Sequence, residues 1–261
     1  MGGVLISWIK RKLNKLDPVV IYCYTNRPDV YYNYPIVKSS YMIPEWFKQL
    51  PSKTKVDVDK LEFEFSMKSC AGFTGLFKRG IMMPLWSDIA FSAESKDGVT
   101  GEYKWRFADG ISVAEYHSES QRGDYLPAKD YCHLKLDSPW VFHCSESIDW
   151  MWQQPVWNQD HPEHKVTLPG VVDYSRISDT NVNIMVPRQD KNIFTVFEAG
   201  EPIVQIVPLT ERPVKVVCEL VSNDQWREML LAKNPHSKFG RSQTANAKNK
   251  IRCPIKPFSE R

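Results

Sequence analysis

Short runs of β-branched and aromatic residues, separated by turn-forming residues, dominate the chain from residue 19 onwards. Residues 19–24 form such a run, and residues 26–29 follow it with a turn pattern. In residues 61–67 apolar and polar side chains alternate, which predicts a strand with one buried face. Residues 103–107 repeat that period. Further strands are predicted at 81–91, 111–117, 132–136, 140–144, 193–198, 203–207 and 214–221. So many closely spaced strands predict an all-β sandwich, jelly roll or barrel.

Helical patterns are confined to a few segments. Apolar residues recur at three- and four-residue steps in the basic segment 1–16, which predicts an amphipathic helix that Asp17 and Pro18 end. A second helix is expected at 44–50. A third is expected where Ser222 and Asn223 precede an apolar stretch. We therefore predict three regions: the helix 1–16, a β-rich domain 17–232, and an extended arm 233–261.

Charge is distributed unevenly along the chain. Of its 34 basic and 31 acidic residues, four basic ones lie in 1–16, and eight basic and one acidic lie in 233–261. The remaining body holds 22 basic and 30 acidic residues, a net charge of −8. We expect the basic ends to dock on an acidic protein surface, either a partner or another copy. The residues expected to bind such a partner are Lys10, Arg11, Lys12, Lys238, Arg241, Lys248, Lys250 and Arg252.

Two other partners remain open for these ends. The segment 1–16 could lie on an anionic membrane, and the arm could bind phosphate backbones through charge alone. No apolar run approaches the ~18 residues of a spanning helix. The basic residues at 10–12 follow the first apolar stretch, the reverse of a secretory signal, so we expect a cytoplasmic protein. The six cysteines include no CxxC pair, which favours reduced thiols.

Three segments resemble an uncharacterised bacterial and phage family. They are GVVD at 170–173, NIM at 183–185 and FEAGEPIVQIVP at 197–208, with an upstream element spanning 72–84. The most specific piece is the F-x-x-G-E-P strand, in which Gly200 suits a turn at positive φ and Pro202 suits a strand start. Similar segments close strands in cupin-like double-stranded β-helices. The resemblance therefore implies a jelly roll and points to a phage protein of the host cytoplasm or virion, and it implies no particular activity.

One spacing is compatible with a metal site. His117 and Glu119 have the spacing of the first two ligands of a 2-His-1-carboxylate iron site. The third ligand could be His161, His143 or His164. Six histidines and 31 acidic residues make one such His-x-acid triplet expected by chance, so an ordinary polar strand end is the alternative. Fe(II) or another divalent metal is predicted only if these residues form a metal site; otherwise no cofactor is predicted. No nucleophile elbow or nucleotide-binding glycine motif occurs.

Aromatic residues are concentrated between positions 140 and 157. Four tryptophans and Phe142 lie in that stretch, and the amide side chains of Gln153, Gln154 and Asn158 lie in it or directly after it. Such a mixture can form the wall of a ligand pocket, or the rings can fill the centre of the domain. The candidate ligand-binding residues are Trp150, Trp152, Gln154, Trp157 and Asn158.

The sequence thus favours a non-enzymatic binding or assembly protein that docks on partner subunits through its basic termini. The first alternative is a cupin-like, metal-dependent enzyme of the oxygenase type using His117 and Glu119. The second is a nucleic-acid accessory protein using the C-terminal arm.

Overall fold

The computed structural model describes residues 17–57, 62–96, 99–117, 131–158, 165–187 and 193–233. Within these ranges the chain forms seventeen strands and four α-helices, which confirms the predicted all-β class. The jelly roll within that class stays a prediction. The predicted helix 1–16 and nearly all of the arm 233–261 lie outside the described residues. No helix in the described ranges has the length and apolar character to cross a bilayer.

The elements follow one another along the chain in a predominantly β order. The strands are β1 (Val19–Thr25), β2 (Val37–Lys38), β3 (Lys53–Asp57), β4 (Glu62–Phe65), β5 (Ile81–Pro84), β6 (Ile89–Lys96), β7 (Val99–Phe107), β8 (Ala114–Tyr116), β9 (Tyr131–Leu136), β10 (Val141–His143), β11 (Asp149–Gln153), β12 (Val166–Thr167), β13 (Gly170–Asp173), β14 (Val182–Pro187), β15 (Ile193–Phe197), β16 (Pro202–Pro208) and β17 (Val214–Leu220). The α-helices are α1 (Pro28–Asn33), α2 (Glu45–Gln49), α3 (Ala71–Lys78) and α4 (Asn223–Lys233). Short 3-10 helices lie at Ser39–Tyr41, Met67–Ser69 and Val156–Asn158.

The largest sheet has the strand order β13-β11-β16-β5-β2, and all its pairs are antiparallel. Its middle strand, β16, is buried at every one of its seven positions. Gly200 precedes it with φ +87°, and Pro202 is its first residue, as the sequence predicted. A strand buried on both faces is predominantly apolar, which explains why this segment does not alternate; its one polar residue, Gln205, is hydrogen-bonded.

A second sheet brings the two ends of the described domain together. Strand β1 lies between β10, which is antiparallel to it, and β17, which is parallel. The parallel register aligns Val19 with Val214 and continues to Thr25 opposite Leu220. The remaining sheets have the orders β12-β14-β9-β8 and β15-β6-β7, and β3 pairs with β4 as a separate hairpin.

One contiguous apolar core connects four of these sheets. Its largest fully buried side chains include Trp86, Trp140, Trp150 and Tyr174. A smaller cluster forms where α4 places Met229 against Tyr24, Val141 and Val221. The predicted cap of that helix is present, because Gln225 N donates to Ser222 Oγ at 3.3 Å and Ser222 N donates to Gln225 Oε1 at 2.8 Å.

Several local predictions were wrong. The strand expected at 61–67 is the short β4, and its alternating Phe63 and Phe65 are 58% and 74% exposed rather than buried. Alternation shows that two faces differ in polarity and does not show that anything covers the apolar one. The strand expected at 81–91 is divided between β5 and β6. The turn expected at 26–29 continues into α1, and the glycine-rich turn expected at 72–75 is part of α3.

Candidate functional site

Two of the predicted ligand-binding residues are part of the interior. Trp150 and Trp152 lie two positions apart on β11, so both face the same side of the sheet, and they are 0% and 6% exposed. The Trp150 ring centroid is 6.1 Å from that of Tyr174, and Trp152 Nε1 donates to the Tyr174 hydroxyl at 2.7 Å. Burial raises the pKa of Tyr174 well above its ordinary value. These tryptophans therefore fill the core.

A third residue of the predicted set, Gln154, helps to fix the position of a buried lysine. Its side-chain amide donates to the backbone oxygen of Lys165 at 3.0 Å. The Lys165 ammonium pairs with Glu201 at 2.7 Å and lies 4.6 Å from the ring centroid of Phe197. Because the Lys165 side chain is only 3% exposed, this arrangement satisfies a buried charge where the chain turns into β16.

The remaining two residues of the set lie on the surface. Trp157 and Asn158 belong to the 3-10 helix that follows Pro155, and Trp157 is 39% exposed. The Asn158 amide donates to the backbone oxygen of Met42, and the backbone oxygen of Trp157 accepts from Trp46 Nε1 at 3.1 Å. The structure thus separates the predicted pocket wall into a buried pair and a surface pair.

Trp157 belongs to a group of rings that runs from the interior to the surface, which we call the aromatic cluster. Successive centroids are 4.6 to 6.2 Å apart, a spacing typical of favourable aromatic contacts. The inner rings are 2% and 5% exposed, whereas the outer Trp46 and Trp157 are 42% and 39% exposed. The cluster consists of Phe77, Phe47, Trp46, Trp157 and Phe73.

Further apolar side chains extend this surface. Tyr41, one residue before Met42, is 74% exposed, and Val156 beside Trp157 is 42% exposed. Aromatic residues, tryptophan and tyrosine above all, are enriched at protein interfaces and among the residues that contribute most to binding. Four large apolar side chains in two adjoining segments therefore mark a candidate interface.

The hairpin β3–β4 adjoins this region through several hydrogen bonds. Ser69 Oγ donates to the backbone oxygen of Ser52 at 2.8 Å, and Ser66 N donates to the same oxygen at 3.0 Å. Lys68 Nζ donates to the backbone oxygen of Lys48 in α2 at 2.6 Å. The hairpin is thus held at its base against the helix that carries Trp46.

One side of the hairpin combines aromatic and basic residues. The register places Lys53 opposite Phe65 and Lys55 opposite Phe63, so all four side chains lie on one face, which we call the hairpin face. All four are exposed. The Lys53 ammonium lies 5.1 Å from the centroid of the Phe65 ring, within cation–π range.

The body of the protein holds the helix beside this region firmly in place. The buried Gln205 of β16 donates through its amide to the backbone oxygens of Leu76 at 2.8 Å and Arg79 at 3.1 Å. Gly80 follows with φ +76°, and a Cβ there would lie 2.2 Å from the backbone oxygen of Ile206. The end of α3 therefore lies directly on β16, and only glycine permits that approach.

A second exposed apolar strip occurs on the sheet β15-β6-β7. Phe194 is 75% exposed and Val196 is 45% exposed, and both lie on the same face of β15. The register continues this face to Lys104 and Arg106 on β7. This strip provides an exposed apolar surface separate from the aromatic cluster.

Of the predicted metal ligands, His117 and His143 lie within the described residues. His143 belongs to β10 and is 6% exposed. The His117 ring stacks on that of His133, with centroids 4.7 Å apart and an interplanar angle of 20°. His117 Nε2 is buried and has no hydrogen-bond partner among the described residues. His133 Nε2 is 3.1 Å from Asn183 Oδ1. Sequence reasoning missed His133, which reaches His117 through the pairing of β8 with β9.

The other predicted sites fall elsewhere. Glu119, His161 and His164 lie outside the described residues, as do the partner-binding residues predicted at 10–12 and from 238 to 252. Within the described ranges, no three or more His, Cys, Asp or Glu side chains form a group that could hold a metal ion.

Comparison with known proteins adds no relative. No protein-family model, no curated protein and no solved structure matches the chain. The function must therefore be argued from the geometry of the described residues.

Proposed function

We propose that this protein is a non-enzymatic binding and assembly protein that associates with other copies of itself. The observation that carries the proposal is the aromatic cluster, whose outer tryptophans remain about 40% exposed on a rigidly held surface. Leaving such rings in water forfeits hydrophobic free energy, which a subunit contact recovers. The Trp46 indole donates to the backbone oxygen of Trp157, and the Trp157 ring packs against Trp46 and Phe73, so little conformational entropy is lost on binding.

Charge supplies the second part of the proposal. The segments 1–16 and 233–261 are basic, and the intervening body has a net charge of −8, with 22 basic and 30 acidic residues. Opposite charges on one chain suit contacts in which the ends of one subunit meet the body of the next. The aromatic cluster supplies apolar burial and the termini supply orientation and rate of association.

The proposal also retains the jelly-roll domain and phage origin implied by the F-x-x-G-E-P resemblance. The buried β16, the positive φ of Gly200 and the antiparallel main sheet support this architecture. The assembly would then operate in the host cytoplasm or the virion.

The test is the mass of the full-length protein in solution, measured by sedimentation equilibrium at micromolar concentration. We expect wild type to exceed the monomer mass and the double variant Trp46→Ala/Trp157→Ala to shift toward the monomer. The matched control is Phe194→Ala/Val196→Ala, which removes exposed apolar side chains from a different sheet and should leave the mass unchanged. Deletion of residues 1–16 or of residues 234–261 should also shift the measured mass toward that of the truncated monomer. A wild-type protein that stays monomeric at every concentration would refute the proposal.

A metal-dependent enzyme of the oxygenase type is the second candidate. The observation that favours it is His117 Nε2, which is buried without a hydrogen-bond partner among the described residues. His117 and Glu119, with His161 or the newly found His133, would bind Fe(II) or another divalent metal. Elemental analysis after anaerobic loading and desalting tests this candidate. About one equivalent of metal in wild type, lost in His117→Ala and kept in His236→Ala, would support it; equal metal in wild type and His117→Ala would reject it.

A further inference from the structure

The hairpin face has a chemistry that the proposed assembly does not use. It presents two phenylalanines and two lysines in two directly opposed pairs, Phe65 with Lys53 and Phe63 with Lys55. Its neighbour in sequence, Glu64, lies between the two phenylalanines and therefore points to the opposite side of the strand. Among the side chains described on the hairpin, the aromatic side is thus basic, and an anionic ligand suits it.

The spacing of the two pairs indicates which kind of anionic ligand the hairpin face fits. Phe63 and Phe65 are two residues apart on one strand, about 6.8 Å along it. Each phenylalanine has a lysine directly across the hairpin, so each pair offers one aromatic ring and one cationic side chain. A single-stranded nucleic acid presents the matching alternation, because every nucleotide carries a flat base and a phosphate.

We propose that the hairpin face binds single-stranded DNA or RNA. Two successive bases stack on Phe63 and on the side of the Phe65 ring that Lys53 does not cover, and the adjoining phosphates pair with Lys53 and Lys55. Stacking of this kind is tolerant of sequence, because every base has a π face. The site is distinct from the basic arm 233–261, to which the sequence alone assigned any nucleic-acid contact.

The same observations disfavour two other occupants. Insertion into an anionic membrane requires aromatic rings that reach deeper than the flanking cations, whereas here the Lys53 ammonium lies over the Phe65 ring. The centre of a protein interface is depleted in lysine, and here two of the four side chains of the face are lysines. Either occupant is nevertheless distinguishable by experiment.

The experiment measures fluorescence anisotropy of labelled 20-nucleotide probes titrated with the full-length protein. The probes are oligo(dT), oligo(U) and an abasic strand of equal length, which keeps the phosphates and lacks the bases. Since any contact of the basic termini with a probe would be made through charge to the phosphates, the difference between oligo(dT) and the abasic strand reports base stacking. We expect wild type to bind oligo(dT) at least about tenfold more tightly than the abasic strand.

Two variants separate the contributions. Phe63→Ala/Phe65→Ala should abolish the preference for oligo(dT) while leaving affinity for the abasic strand unchanged. Lys53→Gln/Lys55→Gln should weaken binding to both and reduce the salt slope of log affinity by about 1.4, since each lost phosphate contact contributes about 0.7 for single strands. The matched control, Thr54→Ala/Glu64→Gln, alters the other face of the same hairpin and should preserve the preference.

Several outcomes would overturn the inference. Equal affinity for oligo(dT) and the abasic strand in wild type, or a preference that survives Phe63→Ala/Phe65→Ala, would exclude base stacking at this face. Binding to phosphatidylserine vesicles that these variants abolish, without any preference for oligo(dT), would assign the face to a membrane. A change of oligomeric mass in Lys53→Gln/Lys55→Gln without a change in nucleic-acid affinity would assign it to a subunit contact. Because the exposed variants should keep the thermal midpoint of wild type, loss of folding is detectable separately.

Discussion

Two pairs of tryptophans experience opposite environments in this protein. Trp150 and Trp152 on β11 lie in the core, where they contact Tyr174 and are almost completely shielded from water. Trp46 and Trp157, contributed by α2 and a 3-10 helix, contact each other and remain about 40% exposed. Trp150 and Trp157 are only seven positions apart in sequence. The comparison shows that a tryptophan can stabilise the core at one of these positions and remain available for binding at the other.

The largest effect should come from the interior pair. We expect Trp150→Ala to lower the free energy of unfolding by about 3–5 kcal/mol, because the rings around it cannot collapse into the space. Denaturant unfolding followed by circular dichroism measures this loss. If Trp150→Ala lowered the free energy of unfolding by less than Trp157→Ala does, the surface ring would contribute more to stability than the core ring, and the comparison would fail.

The next effect concerns the backbone contact that joins α3 to the body. Gly80→Ala should cost about 2–3 kcal/mol, since its φ is positive and the new Cβ would meet the Ile206 carbonyl oxygen. Gly75→Ala, within α3 itself, provides the control, with nothing within 4 Å of its added Cβ. We expect that change to stabilise the protein by about 0.5–1 kcal/mol. Thermal unfolding midpoints of the two variants should move in opposite directions.

Replacing the buried Tyr174 should have an intermediate effect on stability, and one that depends on pH. At neutral pH Tyr174→Phe should cost about 1–2 kcal/mol, because the buried Trp152 Nε1–H loses its acceptor. Burial raises the pKa of Tyr174. Above about pH 10 the phenol therefore ionises in the unfolded state while it stays protonated in the folded state, which favours unfolding. Wild type should therefore lose stability above about pH 10, by up to about 1.4 kcal/mol per pH unit.

Tyr174→Phe should lack that alkaline component, and the gap between variant and wild type should narrow as the pH rises from 9 to 11. The control is Tyr41→Phe, at an exposed position, which should follow the wild-type profile. Parallel profiles for wild type and Tyr174→Phe would show that the phenol ionises equally easily in both states and would contradict its burial.

The smallest effect should come from the surface pair. Trp157→Ala should reduce the free energy of unfolding by about 1 kcal/mol, because the neighbouring rings already contact water and can relax. The same variant should nevertheless lower the association constant measured by sedimentation equilibrium. A large loss of stability without any change in association would make the aromatic cluster a structural feature, and the contrast between the two pairs would disappear.

Much of the strand content could be predicted from local pattern. The runs at 132–136, 193–198, 203–207 and 214–221 correspond closely to β9, β15, β16 and β17, because β-branched and aromatic residues favour extended backbone. The capped helix after Ser222 was equally predictable, since its signals lie within one turn. Short elements with weak patterns, such as β2 and β12, were not predicted.

The candidate sites depended on contacts that no local pattern contains. Trp46 and Trp157 are 111 residues apart and meet through a hydrogen bond from a side chain to a backbone oxygen. His133 reaches His117 only because β8 and β9 pair in one particular register. The hairpin face likewise depends on the register that aligns two lysines with two phenylalanines.

The sequence by itself determined the all-β class, the strand start at Pro202, the turn at Gly200 and the capped last helix, because each follows from the conformational preferences of a few neighbouring residues. Only the tertiary structure decided which tryptophans are buried, which aromatic rings adjoin lysines and where β1 meets β17. The physical reason is that burial and electrostatic pairing are properties of residues brought together across the chain, and alternation along a strand leaves open which face the rest of the protein covers.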